Sequence, residues 1–143
     1  MAASVRVQAS LRIFGDRLEP EEVSALLGCE PTCFHRRGDK VSTANLSLIE
    51  PTGAWILESP LDDRSEIEEH VEALLTAVTN DCDEWASLTS RFSASILCRV
   101  AFERREGGLE VSPRLACSLA ERGLVIAFEV ELGEGTGLNR GSS

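Results

Sequence analysis

Histidine is scarce in this sequence: only two are present, His35 and His70, so any imidazole chemistry must run through one of these positions. There is no G-x-S-x-G elbow, no P-loop and no G-x-G-x-x-G. Their absence removes the usual signatures of hydrolase catalysis and of phosphate cradling by a glycine-rich turn. No apolar run nears the roughly 20 residues that a membrane span needs. The opening MAASVRVQASLRIFG alternates instead of holding the unbroken apolar core of a signal peptide. These features lead us to expect a cytoplasmic protein with no membrane role.

A C-x-x-C pair is also lacking. The cysteines are odd in number and scattered (Cys29, Cys33, Cys82, Cys98 and Cys117), the pattern of free thiols in a reducing compartment. The pair in CEPTC is spaced i, i+4 across a proline, so it matches neither a redox motif nor a zinc knuckle. No basic stripe with interleaved aromatics appears, and Arg36, Arg37 and Lys40 form too small a cluster to hold a nucleic-acid duplex. Net charge is −10. Residues 58–84 carry ten acidic residues against one basic residue, Arg64. Such a surface repels phosphates and suits a basic protein partner, although an acidic face is commonly just a solvated one.

What is present is periodicity. Val5, Val7, Ala9, Leu11 and Ile13 alternate with Arg6, Gln8, Ser10 and Arg12, which predicts a half-buried strand. Pro20 suits a first helical turn, Glu21 and Glu22 the positive end of its dipole, and Gly28 its left-handed stop. Residues 29–44 read as a long loop with room for a short strand. Residues 45–50 and 53–58 read as two strands of a hairpin turning at Pro51-Thr52-Gly53. A second helix is expected over 65–79, with Ser65 and Glu68 as a capping box. Residues 81–90 read as a connector with Trp85 and Leu88 tucked inward. A long strand follows from Phe92 to about Phe102, then a Gly107-Gly108 turn and a short return strand at 109–111. A third helix spans 113–122, and Leu124, Ile126, Phe128 and Val130 alternate in a last strand.

The expected fold is α+β: a mainly antiparallel sheet with about three helices packed on one face. Its ferredoxin-like (split βαβ) order is β-α-β-β-α-β extended by α-β. Residues 1–132 form one domain on this pattern, and 133–143 a flexible Gly/Ser-rich tail. Phe14, Trp55, Leu57, Leu97 and Ala101 are expected to point away from the helices. As one patch they would mark a partner or dimer surface.

The segment EIEEH (residues 66–70) approaches the H-x-x-E-H of inverted zinc hydrolases but begins with a carboxylate. Glu66 and His70, at i and i+4, could share a metal, with a third ligand needed from elsewhere. Glu69 falls on nearly the opposite side of the helix from His70, whereas Ile67, Val71, Leu74, Leu75 and Val78 define the buried stripe. His70 therefore reads as a boundary residue, and no metal, cofactor or catalytic residue is expected. In the 29–40 loop, Cys29 or Cys33 near His35 and two arginines could have a lowered pKa, but a mobile polar loop is the commoner reading, and Arg36 and Arg37 better suit anion or carboxylate recognition. The candidate binding residues are His35, Arg36, Arg37, Asp39, Trp55, Glu66 and His70.

The ordered series FGDRLEPEEVSALLGCEPT, RRGD, GAWILESP, EEHVEALL and VSPRLACSLAERGLVIAFEVE resembles the bacterial domain-of-unknown-function family numbered 4279. The resemblance spans about residues 5–131 and implies a small single-domain protein; it carries no catalytic residue across. The functional expectation is a small acidic cytoplasmic non-catalytic binding or protein-interaction module, one version of which neutralises a basic partner, with a homodimer also expected. The alternative is a small enzyme or ligand-binding protein that uses the 29–40 loop with Trp55 and His70.

Overall fold

In the computed structural model, residues 5–42, 47–104 and 107–132 are described. Eleven elements follow one another: β1 (Val5–Gly15), α1 (Pro20–Leu27), β2 (Cys33–His35), β3 (Lys40–Ser42), β4 (Ser47–Ile49), β5 (Gly53–Glu58), α2 (Ile67–Ala77), α3 (Cys82–Arg91), β6 (Ser93–Phe102), α4 (Pro113–Arg122) and β7 (Val125–Leu132). The expected tail at 133–143 lies outside the described residues.

The alternating β1 sequence becomes the centre of a five-stranded sheet ordered β2-β5-β1-β6-β7. Its even-period face, Val7, Ala9, Leu11 and Ile13, is buried with the apolar stripes of all four helices in one core cluster. Each such fully buried aliphatic side chain contributes about 1.5–3 kcal/mol relative to exposure. The helix ends follow local chemistry. Gly28 and Gly123 close α1 and α4 in the left-handed region, and the Ser112 hydroxyl oxygen accepts from Leu115 N–H at 3.1 Å to start α4. Gly53 is needed for close approach, since a Cβ there would sit 2.9 Å from the Gly15 carbonyl oxygen.

Several expectations are corrected. The sheet is mixed: β1 runs antiparallel to both β5 and β6, and β6 runs parallel to β7. The parallel pair is joined through α4, so the βαβ unit lies at the C-terminal end, and the ferredoxin-like order holds only in part. Among the described residues there are four helices in place of three, because the supposed connector at 81–90 is α3, capped by Asp81. The predicted 45–58 hairpin does not form. β4 pairs with β3 in a separate two-stranded sheet, while β5 joins β1 and β2. Long-range pairing with the apolar β1 overrode a good local turn. Residues 109–111 form no strand, although Leu109 and Val111 pack on the core. The capping box is Glu66/Glu69, one residue later than Ser65/Glu68.

The second-face patch is corrected as well. Ile13 pairs with Trp55 and Leu11 with Leu57, so both β5 residues share the helix-side face. Phe14, Leu97 and Ala101 remain on the other face, half-buried or buried among Arg6, Gln8, Ser10, Arg12 and Arg99. That face is polar. The large apolar side chains that are exposed lie chiefly on β7: Val125, Phe128, Val130 and Leu132.

Candidate functional site

The predicted site residues divide among separate places. Trp55 is fully buried, and its indole Nε1–H donates to Ser24 Oγ of α1 at 3.0 Å. It is a core pillar. Glu66 caps α2, where its N–H donates to Glu69 Oε1 at 2.9 Å. The Arg36 guanidinium bonds Glu19 (3.2 Å) and Glu21; the hydrogen bond from Arg36 holds the Glu21 carboxyl below its ordinary value. Arg36 N–H donates to Asp39 Oδ2 at 2.8 Å, which closes the Gly38 turn. Arg37 lies 3.9 Å from Asp16. The two arginines expected to grip a carboxylate ligand thus already face carboxylates of their own chain.

His35 sits on the edge strand β2, with Nε2 3.3 Å from Glu50. It pairs with Ala54, so it projects to the opposite sheet face from Trp55. Cys29, one of the two thiols weighed as a nucleophile beside it, is not activated. Burial, followed by the neighbouring Glu30, pushes the Cys29 thiol up and keeps it protonated.

His70 is more deeply placed than its edge position on the helical wheel suggests. It is 1% exposed, because residues 59–63 extend along β1 beyond the end of β5 and roof over it. Ser59 N–H donates to Ala9 O at 2.9 Å, and Val7 N–H to Asp63 O at 2.8 Å. Within this roof Leu61 N–H donates to Ser59 Oγ (3.2 Å), and Ser59 Oγ lies 2.8 Å from His70 Nδ1. Ala9 stands four residues before Ile13, the partner of Trp55, or about 13 Å along the strand. His70 and Trp55 are therefore separate sites; His35 projects to the opposite sheet face, and Arg36 reaches Glu19 and Glu21 at the start of α1.

Ser59 and His70 resemble the first two members of a nucleophile–base pair. A working pair also needs its far imidazole nitrogen held and a hole for the oxyanion. His70 Nε2 is buried without a hydrogen-bond partner among the described residues. The contact tethers the 59–66 segment to α2. Among the described residues no group of three or more histidine, cysteine, aspartate or glutamate side chains is arranged to hold a metal ion.

The cavity beside this tether, of about 150 Å³, opens onto the polar sheet face and is lined by Ser10, Arg12, Glu58, Ser59, His70 and Arg99 among others. A neighbouring one of about 450 Å³ lies over Arg6, Asp63, Arg99, Glu129 and Glu131. Most of their charges are compensated: Arg6 meets Glu103 at 3.5 Å and Asp63 at 3.9 Å, and Arg99 meets Glu129 at 3.2 Å. Among the described residues Arg12 bonds only the Ser10 hydroxyl (3.3 Å), and it lies over the Phe14 ring. Sequence reasoning missed this face as a cavity wall. Its signal was the solvent side of the β1 alternation, Arg6-x-Gln8-x-Ser10-x-Arg12.

Desolvation lowers the His70 pKa, opposed more weakly by the Asp62 carbonyl and by the charges of Glu69, Asp63 and Asp62. The folded protein therefore binds this proton less readily than the unfolded chain. Stability from the neutral imidazole is complete above the unfolded value of about 6.5 and is lost as pH falls below it, toward the folded pKa. Thermal melts of wild type and His70→Gln should diverge in this window, the wild type losing Tm more steeply on acidification. Parallel curves would contradict the assignment.

A mixed five-stranded sheet under one layer of helices defines a small two-layer α+β fold. The chain belongs to the domain-of-unknown-function family DUF4279, whose profile matches residues 4–133. No curated protein and no solved structure matches it.

Proposed function

We propose that this protein is a non-catalytic interaction module whose acidic 58–69 surface engages a cationic protein. The supporting observation is the charge left over after internal pairing. Glu58, Asp62, Glu66 and Glu69 are exposed, and among the described residues none lies within ion-pair distance of a lysine or arginine. By contrast, the arginines of the 33–39 segment are already compensated. Uncompensated like charges on a rigid loop-and-helix edge raise the association rate with an oppositely charged partner and suppress wrong ones. The enzyme or ligand-binding alternative requires His35, Arg36, Trp55 and His70 to line one pocket, and no described cavity holds them together.

The test is calorimetric titration with an arginine-rich peptide. Glu58→Gln/Asp62→Asn is compared with Glu110→Gln/Glu121→Gln, which removes the same charge elsewhere. Binding should weaken about tenfold in the first variant and hardly at all in the second, and should fall with added salt. Equal losses in both variants would reduce the effect to net charge and remove the site.

A further inference from the structure

The two edges of the main sheet are unlike. β2 is three residues long and runs directly into Arg36 and Arg37, which is how sheets blunt an edge against unwanted pairing. β7 is eight residues long, VIAFEVEL, and holds no proline, lysine or arginine. It ends the sheet order, and its register with β6 sets Phe128 beside Cys98, Val130 beside Val100 and Leu132 beside Phe102. Cys98 and Val100 are core residues, yet Phe128, Val130 and Leu132 are 39%, 58% and 51% exposed. The core-side face of the sheet therefore runs on past the end of the helix layer. It looks like a core cut open, the character of an interface between identical chains.

We propose that β7 pairs antiparallel with β7 of a second copy, so that two five-stranded sheets become one continuous sheet with both helix layers on the same side. The residues select this occupant. Two registers overlap most of the strand while keeping like faces together. One is centred on Glu129 and sets that carboxylate against its own copy. The other is centred on Phe128 and pairs Ile126 with Val130, Ala127 with Glu129 and Val125 with Glu131, so no two acids oppose. In the second register the exposed end of each β7 also lies beside the partner's strand start, which the partner's α4 flanks. A basic partner is less suited to this edge, since Glu129 is already held by Arg99 at 3.2 Å. The chain's own residues 133–143 bring one large apolar side chain, Leu138, too little to cover the stripe.

Sedimentation of the full chain over a concentration series tests the pairing. Wild type should reach twice the chain mass, and Val130→Lys should stay monomeric over the same range. Val130 is largely exposed, so the variant should keep the wild-type circular dichroism and melting curve. Register is tested by mild oxidation alongside wild type, which controls for the native thiols. Phe128→Cys should cross-link to itself, because identical residues face each other on the two-fold axis. Val130→Cys, facing Ile126, should not. A wild type that stays monomeric overturns the inference. So does a dimer that survives Val130→Lys, which would lie on another face, or dimerisation only after removal of residues 133–143, which would make that segment the occupant. The acidic-surface proposal is unaffected by any of these outcomes, since it rests on residues 58–69.

Discussion

Trp55→Ala should cost about 3–5 kcal/mol, a loss comparable with the whole stability of many domains of this size. Trp55 is fully buried and opposite Ile13 on the central strand. Its indole joins two layers, because Nε1–H reaches Ser24 of α1. Removing it opens a cavity that neighbours fixed by the sheet cannot collapse into, and it leaves the Ser24 hydroxyl without this partner. Trp55→Phe keeps most of the ring and should cost about 1–3 kcal/mol, chiefly through the lost hydrogen bond and lost volume. Urea unfolding followed by the fluorescence of the remaining Trp85 measures both. A change under about 1 kcal/mol in the alanine variant would show that the indole is not the pillar described here.

Trp85→Ala should be of similar size, about 3–5 kcal/mol, by a different route. Trp85 is fully buried on α3, and its Nε1–H donates to the Thr79 carbonyl at 2.8 Å, tying α3 to the end of α2. The same helix carries Leu88 into the core and sends Arg91 across to Glu22 of α1 at 2.8 Å. Loss of the indole should therefore loosen α3 as a unit, with amide exchange across 82–91 accelerating more than in β1. Uniform acceleration over the whole chain would show instead that α3 does not open separately.

The contrast between these tryptophans marks how far the sequence could be read. β1 and β6 were legible because strict alternation over ten or so residues has no competing interpretation. α1 and α4 were legible from Pro20 with Gly28 and from Ser112-Pro113 with Gly123. α3 was missed because CDEWASLTSR turns only Trp85 and Leu88 inward, too sparse a stripe to show a 3.6-residue period. The side taken by Trp55 was misread because a one-residue error of facing moves a whole strand to the other face. Nothing local reports that Ile13 is its partner. Among the candidate residues, Arg36 and Arg37 were read as a pair for carboxylate recognition. Their partners Glu19, Glu21 and Asp16, however, lie about 15–20 residues away in sequence and come near only through the fold. His70 lies on the rim of the α2 stripe, and it is buried by a loop whose path no periodicity encodes.

The pairing of β1 also sets a schedule. Phe14 meets Ala54 on one side, but Val5 meets Phe102 on the other. As the chain leaves the ribosome, β1 can gain β5 once residue 58 has emerged. Its second edge must wait until more than forty further residues have been made, and the apolar row Val7, Ala9, Leu11 and Ile13 until α2 has followed β5. At a synthesis rate of about 5–20 residues per second, that wait lasts seconds. Closure of so long a loop is slow in refolding as well. The most protected strand of the finished protein is thus the one left exposed longest during its birth, and the residues most at risk of aggregation belong to the N-terminal half.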